Sequence, residues 1–233
     1  MKHKKNCIYI ASTRPVFNFD AATEFENLSV GDSTILFSDL LGNFVEILSN
    51  KNLNSDIIYC LNKLDKNSIP NDFFPQGTEI LFMAGKDLKT SFNKLGQNYF
   101  KQYENNILIR ANAIGISVEN ILKIFDLLSI EDDVLVIGQS DNKKIPFIGF
   151  NSIDSNILLK MFSPDFNYDN FLTEAGKREY FIHILQGFQL INSFTEFKNL
   201  YIELSKKESL SYCSEQMHER FTSLFIEYKD LLK

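Results

Sequence analysis

A chain of 233 residues, 44% of them apolar and including 22 Phe and 9 Tyr, can bury a sizeable core as one large domain or as one domain with an appendage. Its 24 basic against 30 acidic side chains give a formal charge of -6, which argues against a dedicated nucleic-acid binder but leaves room for a local basic pocket. The basic start MKHKKN precedes too short an apolar run for a signal peptide, and no run approaches the roughly 18 residues of a membrane span. Cys7, Cys60 and Cys213 are too scattered for a disulfide framework or a CxxC metal site, so buried thiols in a cytoplasmic protein are the expectation.

In chain order, CIYIAS (Cys7 to Ser12) reads as a first strand, followed by an unusually long loop. A helix is expected from Asp32 or Ser33, with Phe37, Leu40, Leu41, Phe44 and Leu48 on one face. DIIYCL (Asp56 to Leu61) is a second strand, and TEILFMA (Thr78 to Ala84) a third, after a loop carrying Pro70 and Pro75. A helix from about Asp87 would bury Leu88, Phe92, Leu95, Tyr99 and Tyr103. NILIRA is the fourth strand. Ser117 then has the chemistry of an N-cap, and Val118, Ile121, Leu122, Phe125 and Leu128 form the stripe of the next helix.

Apolar strands alternating with amphipathic helices imply an α/β fold with a mostly parallel sheet covered on both faces. DVLVIG and KIPFIGF are joined by only Gln139 to Lys143, too short for a crossover, so they should pair antiparallel, with Pro146 suited to an edge. Beyond residue 164 the strand signal ends, and helices are expected at Phe171 to Phe188, Glu196 to Leu204 and Ser214 to Leu232. In the last of these Met217, Phe221, Leu224, Phe225, Tyr228 and Leu232 share a face fit to pack on the core or on a partner. Residues 1–165 are accordingly read as the α/β core and 166–233 as a helical extension packed on it.

The polar turn after the fourth strand is the natural ligand site, because strand ends in parallel sheets open onto crevices. It offers Arg110, Asn112 and Gly115, without a carboxylate. Arg110 suits a phosphate or the face of a base; Asn112 suits a sugar, ribose or base, or caps its own turn. No nucleophile elbow, P-loop or dinucleotide fingerprint is present.

From Ile107 to Phe150 the pattern resembles a bacterial family of glycosyltransferase-like proteins with the type-A, nucleotide-diphospho-sugar transferase fold. That family carries a strand followed by Gly-Ser-Asp-x-Pro-Gly, then a helix, then a hairpin near Gly-Pro-x-x-Asp-Gly-Gly-Tyr-x-x-x-Gly. Here the first block is Arg110 to Gly115 and the second Gly138 to Gly149, matching at Gly115, Gly138, Asp141 and Gly149. Asn112 stands where the family has aspartate, Ile114 where it has proline, and Asn142-Lys143 where it has paired glycines. The resemblance, over about Cys7 to Phe162, implies a Rossmann-like three-layer αβα core, a nucleotide-sugar partner and a Mn²⁺ or Mg²⁺ ion held by Asp141 and Asn112. It also implies Arg14, in the loop after strand one, as a diphosphate contact supported by Ser12 or Thr13, the alternative being an ordinary surface arginine.

Neutral Asn112 can coordinate a hard cation through its carbonyl but supplies no charge, which weakens cation binding and leaves Arg110 or Lys143 as candidates to stand in for the metal electrostatically. Asp141 is the surviving candidate catalytic carboxylate, against the alternative of an ordinary turn residue. Two functions follow from these residues. One is a degenerate glycosyltransferase-like protein that binds a nucleotide or nucleotide-sugar through Thr13, Arg14, Arg110, Asn112 and Lys143. The other is a catalytically inactive structural or regulatory module, joined to a protein partner or to itself through the C-terminal helices.

Overall fold

The computed structural model describes residues 4–22, 24–49, 53–84, 88–163, 166 and 168–232. Its strands are β1 (Lys4–Ala11), β2 (Asp56–Asn62), β3 (Glu79–Met83), β4 (Tyr103–Arg110), β5 (Ala113–Ile114), β6 (Val134–Ser140), β7 (Phe147–Phe150) and β8 (Phe181–Leu190). Between and after them lie α1 (Val30–Ser49), α2 (Leu88–Asn98), α3 (Val118–Leu128), α4 (Ser155–Lys160), α5 (Tyr168–Gly176), α6 (Phe194–Leu204), α7 (Glu215–Glu227) and α8 (Lys229–Leu232). The strands run in the order β3-β2-β1-β4-β7-β6-β8-β5. The β1–β2, β2–β3, β1–β4 and β6–β8 pairs are parallel, while β7 is antiparallel to both β4 and β6.

Alternation along each buried strand sends side chains to two cores, because successive residues face opposite sides of a sheet. Ile8 and Ile10 of β1 join one core with Leu36, Leu40 and Phe44 of α1, Phe125 of α3, and Phe197 and Phe221 of the C-terminal helices. Cys7, Tyr9 and Ala11 join the other, with Phe92 of α2, Leu158 of α4 and Phe171 of α5. The result is the three-layer α/β arrangement expected from the sequence. The C-terminal helices lock onto α1 through polar bonds as well: Asn43 Nδ2 donates to the Tyr212 carbonyl at 2.8 Å, and Tyr228 Oη donates to Asp32 at 2.6 Å.

Several local expectations need correction. Phe171 to Phe188 is not one helix: α5 stops at Gly176, and Phe181–Leu190 is a strand paired with β6. FIHIL is rich in β-branched and aromatic residues, which favour strands. The strand escapes a period-2 reading because Phe181, Ile182, Ile184 and Leu185 put apolar side chains on both faces. Leu122 points outward, 46% exposed, and Ile124 takes its place in the buried stripe. Tyr103 opens β4 instead of extending α2, and its hydroxyl donates to Asp56 at 2.7 Å. The first helix begins at Val30, earlier than Asp32. The final helix breaks at Tyr228 into α7 and α8. Pro146 precedes β7, a central strand, where a missing N–H costs no ladder bond. Asp87 and the Leu88 side chain lie outside the described residues.

Two of the glycines shared with the resembling family have packing roles. A methyl group on Gly138 would lie 2.4 Å from Phe147 Cε1, and one on Gly149 would lie 2.6 Å from Ile124 Cγ2. Both neighbours are buried, with no room to retreat. Gly149→Ala is therefore expected to lower unfolding stability by about 1–3 kcal/mol, the usual cost of overpacking, with a matching drop in the urea midpoint. An unchanged midpoint would show that α3 slides to make room.

Candidate functional site

After β1 the chain moves outward to β2 and then β3, and later returns to β4 on the other side of β1. Connections leave in opposite directions at that point, so the carboxyl ends of β1 and β4 open onto a crevice. Ala11 and Arg110 end the two strands in register, joined by the Ala111 amide donating to the Ala11 carbonyl at 2.8 Å.

The loop after β1 is tied down from beneath. Asn62 Nδ2 donates to the Thr13 carbonyl at 2.7 Å, and Ser12 Oγ donates to the Arg14 carbonyl at 2.8 Å. Asp65, wholly buried, accepts the backbone amides of Val16 at 3.0 Å, Phe17 at 2.8 Å and Asn18 at 3.0 Å. Burial raises the Asp65 pKa, while the three amides pull it back down. One carboxylate thus sets the path of three consecutive residues.

This loop holds Arg14 with its guanidinium 3.9 Å above the centre of the Phe37 ring, a cation–π contact reaching up from α1. Arg14 Nη1 is buried and has no hydrogen-bond partner among the described residues. Arg110 donates from Nη1 to the Met161 carbonyl at 3.0 Å and lies 5.1 Å from the centre of the Phe162 ring. Burial, then the positive charge of Arg14 beside it, push the Arg110 pKa down to about 10, with Glu196 acting the other way. At that value it still carries its charge at neutral pH.

The two guanidinium groups border a small cavity of about 50 Å³, also lined by Thr13, Asn112 and Asn192. No Asp or Glu lines it among the described residues. That volume takes a few waters or one phosphoryl-sized group, since a water needs roughly 10–15 Å³ on this measure. Asn112 Nδ2 donates to the Ile191 carbonyl at 2.8 Å and to Asn192 Oδ1 at 3.0 Å, so the amide ties the β4 turn to the end of β8.

Thr13, Arg14, Arg110 and Asn112, four of the residues singled out in the sequence, therefore border one cavity. Asp141 and Lys143 do not. Asp141 sits exposed on the hairpin tip, lining a separate groove of about 270 Å³ with Gln189 and Glu196. Lys143 is exposed at the same tip with φ 55° and pairs with Asp169 of α5 at 3.6 Å. Glu196 accepts the amides of Asn192 at 2.6 Å and Ser193 at 2.8 Å in a capping box, and also accepts from the Asn142 side-chain amide.

Phe37 was expected only on the apolar face of the first helix and Glu196 only at a helix start, and neither they nor Phe162, Asn192 and Asp65 were read as site residues. Only Ser193 with Glu196 three residues later left a local signal, that of a capping box. As a metal site the arrangement fits poorly. The described residues contain no group of three or more His, Cys, Asp or Glu able to hold an ion. Asp141 and Asn112 line different cavities.

No family model and no curated protein matches the chain. Among solved structures, a candidate nucleotide-diphospho-sugar transferase from Desulfovibrio desulfuricans G20 is similar with TM-score 0.67 and 14% identity, over 99% of this chain and 97% of that one. Rv0371c from Mycobacterium tuberculosis H37Rv is similar with TM-score 0.50 and 10% identity, over 86% and 98% of the two chains. Its homologue from Mycobacterium sp. strain JC1 gives TM-score 0.50 and 12% identity, over 85% and 95%. At such identities the likeness is one of fold. The chain has the three-layer α/β fold of the nucleotide-diphospho-sugar transferase type, with a mixed sheet and C-terminal helices.

Removing the Asp65 carboxylate leaves three amides without their acceptor. Asp65→Ala is expected to cost roughly 1–3 kcal/mol in stability. The Val16 and Phe17 amides should then exchange with deuterium far faster than those of β1. Unaltered exchange at both would refute the anchoring role.

Proposed function

We propose that the corner between β1 and β4 binds the diphosphate of a nucleotide or nucleotide-sugar, with one phosphoryl group seated in the cavity, in a degenerate glycosyltransferase-like protein. The observation that carries this reading is the pair of half-buried guanidinium groups lining one cavity without a carboxylate in its wall, with Arg14 Nη1 buried and unpartnered among the described residues. Burying like charges side by side is costly unless an anion offsets them, and perturbed charges in a cleft mark functional sites. Guanidinium also matches phosphate oxygens with paired donors in one plane.

The cavity is too small for a whole nucleotide-sugar, which calls for roughly 300 Å³ or more. The remainder of the ligand would lie outward, toward the groove bordered by Asp141 and Gln189. Gln189 Oε1 is buried there without a hydrogen-bond partner among the described residues, which suits it to accept from a sugar hydroxyl. In an active protein Asp141 would accept the proton of an attacking hydroxyl, and the arginines would stabilise the departing diphosphate. Transfer would then rest on positioning and charge, with no covalent protein intermediate.

A second reading has its own support. Glu196 is committed to the α6 cap and Asn112 to the β8 end, which favours a protein that binds without transferring. Ile226 and Leu231 on the C-terminal helices are exposed and would face the partner of such a module. Among the described residues no helix is long and apolar enough to cross a membrane.

Calorimetric titration with a panel of nucleotide-sugars separates the two. Saturable binding at one site is expected, weakened about 10-fold to 100-fold in Arg14→Gln and in Arg110→Gln, the equivalent of a lost charged hydrogen bond. Folded protein that binds nothing on the panel would sink the nucleotide reading and leave the interaction module.

A further inference from the structure

Taking the diphosphate reading as its basis, we infer that the ligand brings its diphosphate to this corner without a metal, one phosphoryl group entering the cavity, and that Asn112 is there as a hydrogen-bond donor, not as a weakened metal ligand. The resemblance to type-A glycosyltransferases implies a cation at Asn112 and Asp141, and the donor set disagrees with that. Hard divalent ions favour anionic oxygen, and the lining offers none among the described residues. The nearby carboxylate of Glu196 already accepts two backbone amides and a side-chain amide. A dication set beside Arg14 and Arg110 would also meet two positive charges in a poorly solvated corner, where repulsion is strong.

Position 112 carries the sharper evidence. A backbone carbonyl can only accept, so the 2.8 Å bond to Ile191 requires a donor at the tip of residue 112. Asn112 Nδ2 satisfies that carbonyl and Asn192 Oδ1 together. An aspartate in the same place would set its carboxylate against the Ile191 carbonyl, which has no donor to offer. It would also put a negative charge into the cavity lining and compete with the ligand for the arginines. The amide is thus what this turn and an anion both require, and the diphosphate charge is met by two guanidinium groups.

The test is calorimetric titration of inorganic pyrophosphate and of UDP into the full-length protein, in EDTA and again in excess Mg²⁺. Both ligands are expected to bind in EDTA, UDP at least as tightly as pyrophosphate, and Mg²⁺ should weaken both by sequestering them. Asn112→Asp is expected to lose at least 10-fold in affinity in EDTA without recovering in Mg²⁺, and Asn112→Ala to lose less. Should Asn112→Asp fail to fold, the wild-type comparison between EDTA and Mg²⁺ still decides. Binding that needs Mg²⁺, or is strengthened by it in Asn112→Asp, would overturn the metal-free inference and leave the diphosphate reading standing. Pyrophosphate binding without UDP binding would assign the cavity to the free ion and overturn the nucleotide assignment. Binding of neither ligand under either condition would overturn the diphosphate reading itself.

Discussion

Two guanidinium groups occupy one half-buried corner where β1 and β4 end, and the elements around them hold them in place without a carboxylate in the cavity wall. Each rests on an aromatic ring, Arg14 on Phe37 and Arg110 on Phe162. Ring faces attract a cation while taking up none of its hydrogen-bonding capacity. A carboxylate in the same place would have closed the site as an internal salt bridge. Arg110 spends one donor on the Met161 carbonyl, and Arg14 keeps a buried donor free of partners among the described residues.

The remainder of the fold can be understood as support for that corner. β1 and β4 run side by side in register, which fixes the separation of the two strand ends. Asp65 gathers three amides of the β1 loop, while Asn62 anchors the Thr13 carbonyl. Phe37 is itself held by α1, which the C-terminal helices clamp through Arg220 to buried Asp39 at 2.5 Å and through the Tyr228–Asp32 bond. Asn112 closes the far side by bonding to the end of β8. Residues from across the chain converge on a cavity of about 50 Å³, so small shifts in packing would be felt there.

Much of this frame was legible in the sequence because burial leaves a periodic trace. β1, β2, β4 and β6 are apolar runs, and α1 and α3 repeat apolar residues at helical spacing. β8 was misread because a strand with apolar side chains on both faces over half its length carries no alternation. The polar end of β4 marked Arg110 and Asn112 as candidates, since strand ends in parallel sheets open onto crevices, and the family resemblance added Thr13 and Arg14 after β1. Phe37, Phe162 and Asn192 reach the cavity only through tertiary packing, and no local pattern announces that. Asn112 looks in the sequence like an aspartate lost; in the fold, the Ile191 carbonyl explains why an amide is needed.

A crystal structure grown in chelator with methylenediphosphonate, a non-hydrolysable diphosphate mimic, puts the arginine pair to the most direct examination. Phosphonate oxygens should lie about 3 Å from Arg14 Nη1 and from the Arg110 guanidinium, with Asn112 still bonded to the Ile191 carbonyl. A well-ordered mimic bound elsewhere, or Arg14 turned onto a carboxylate of its own chain, would contradict an anion site at this corner.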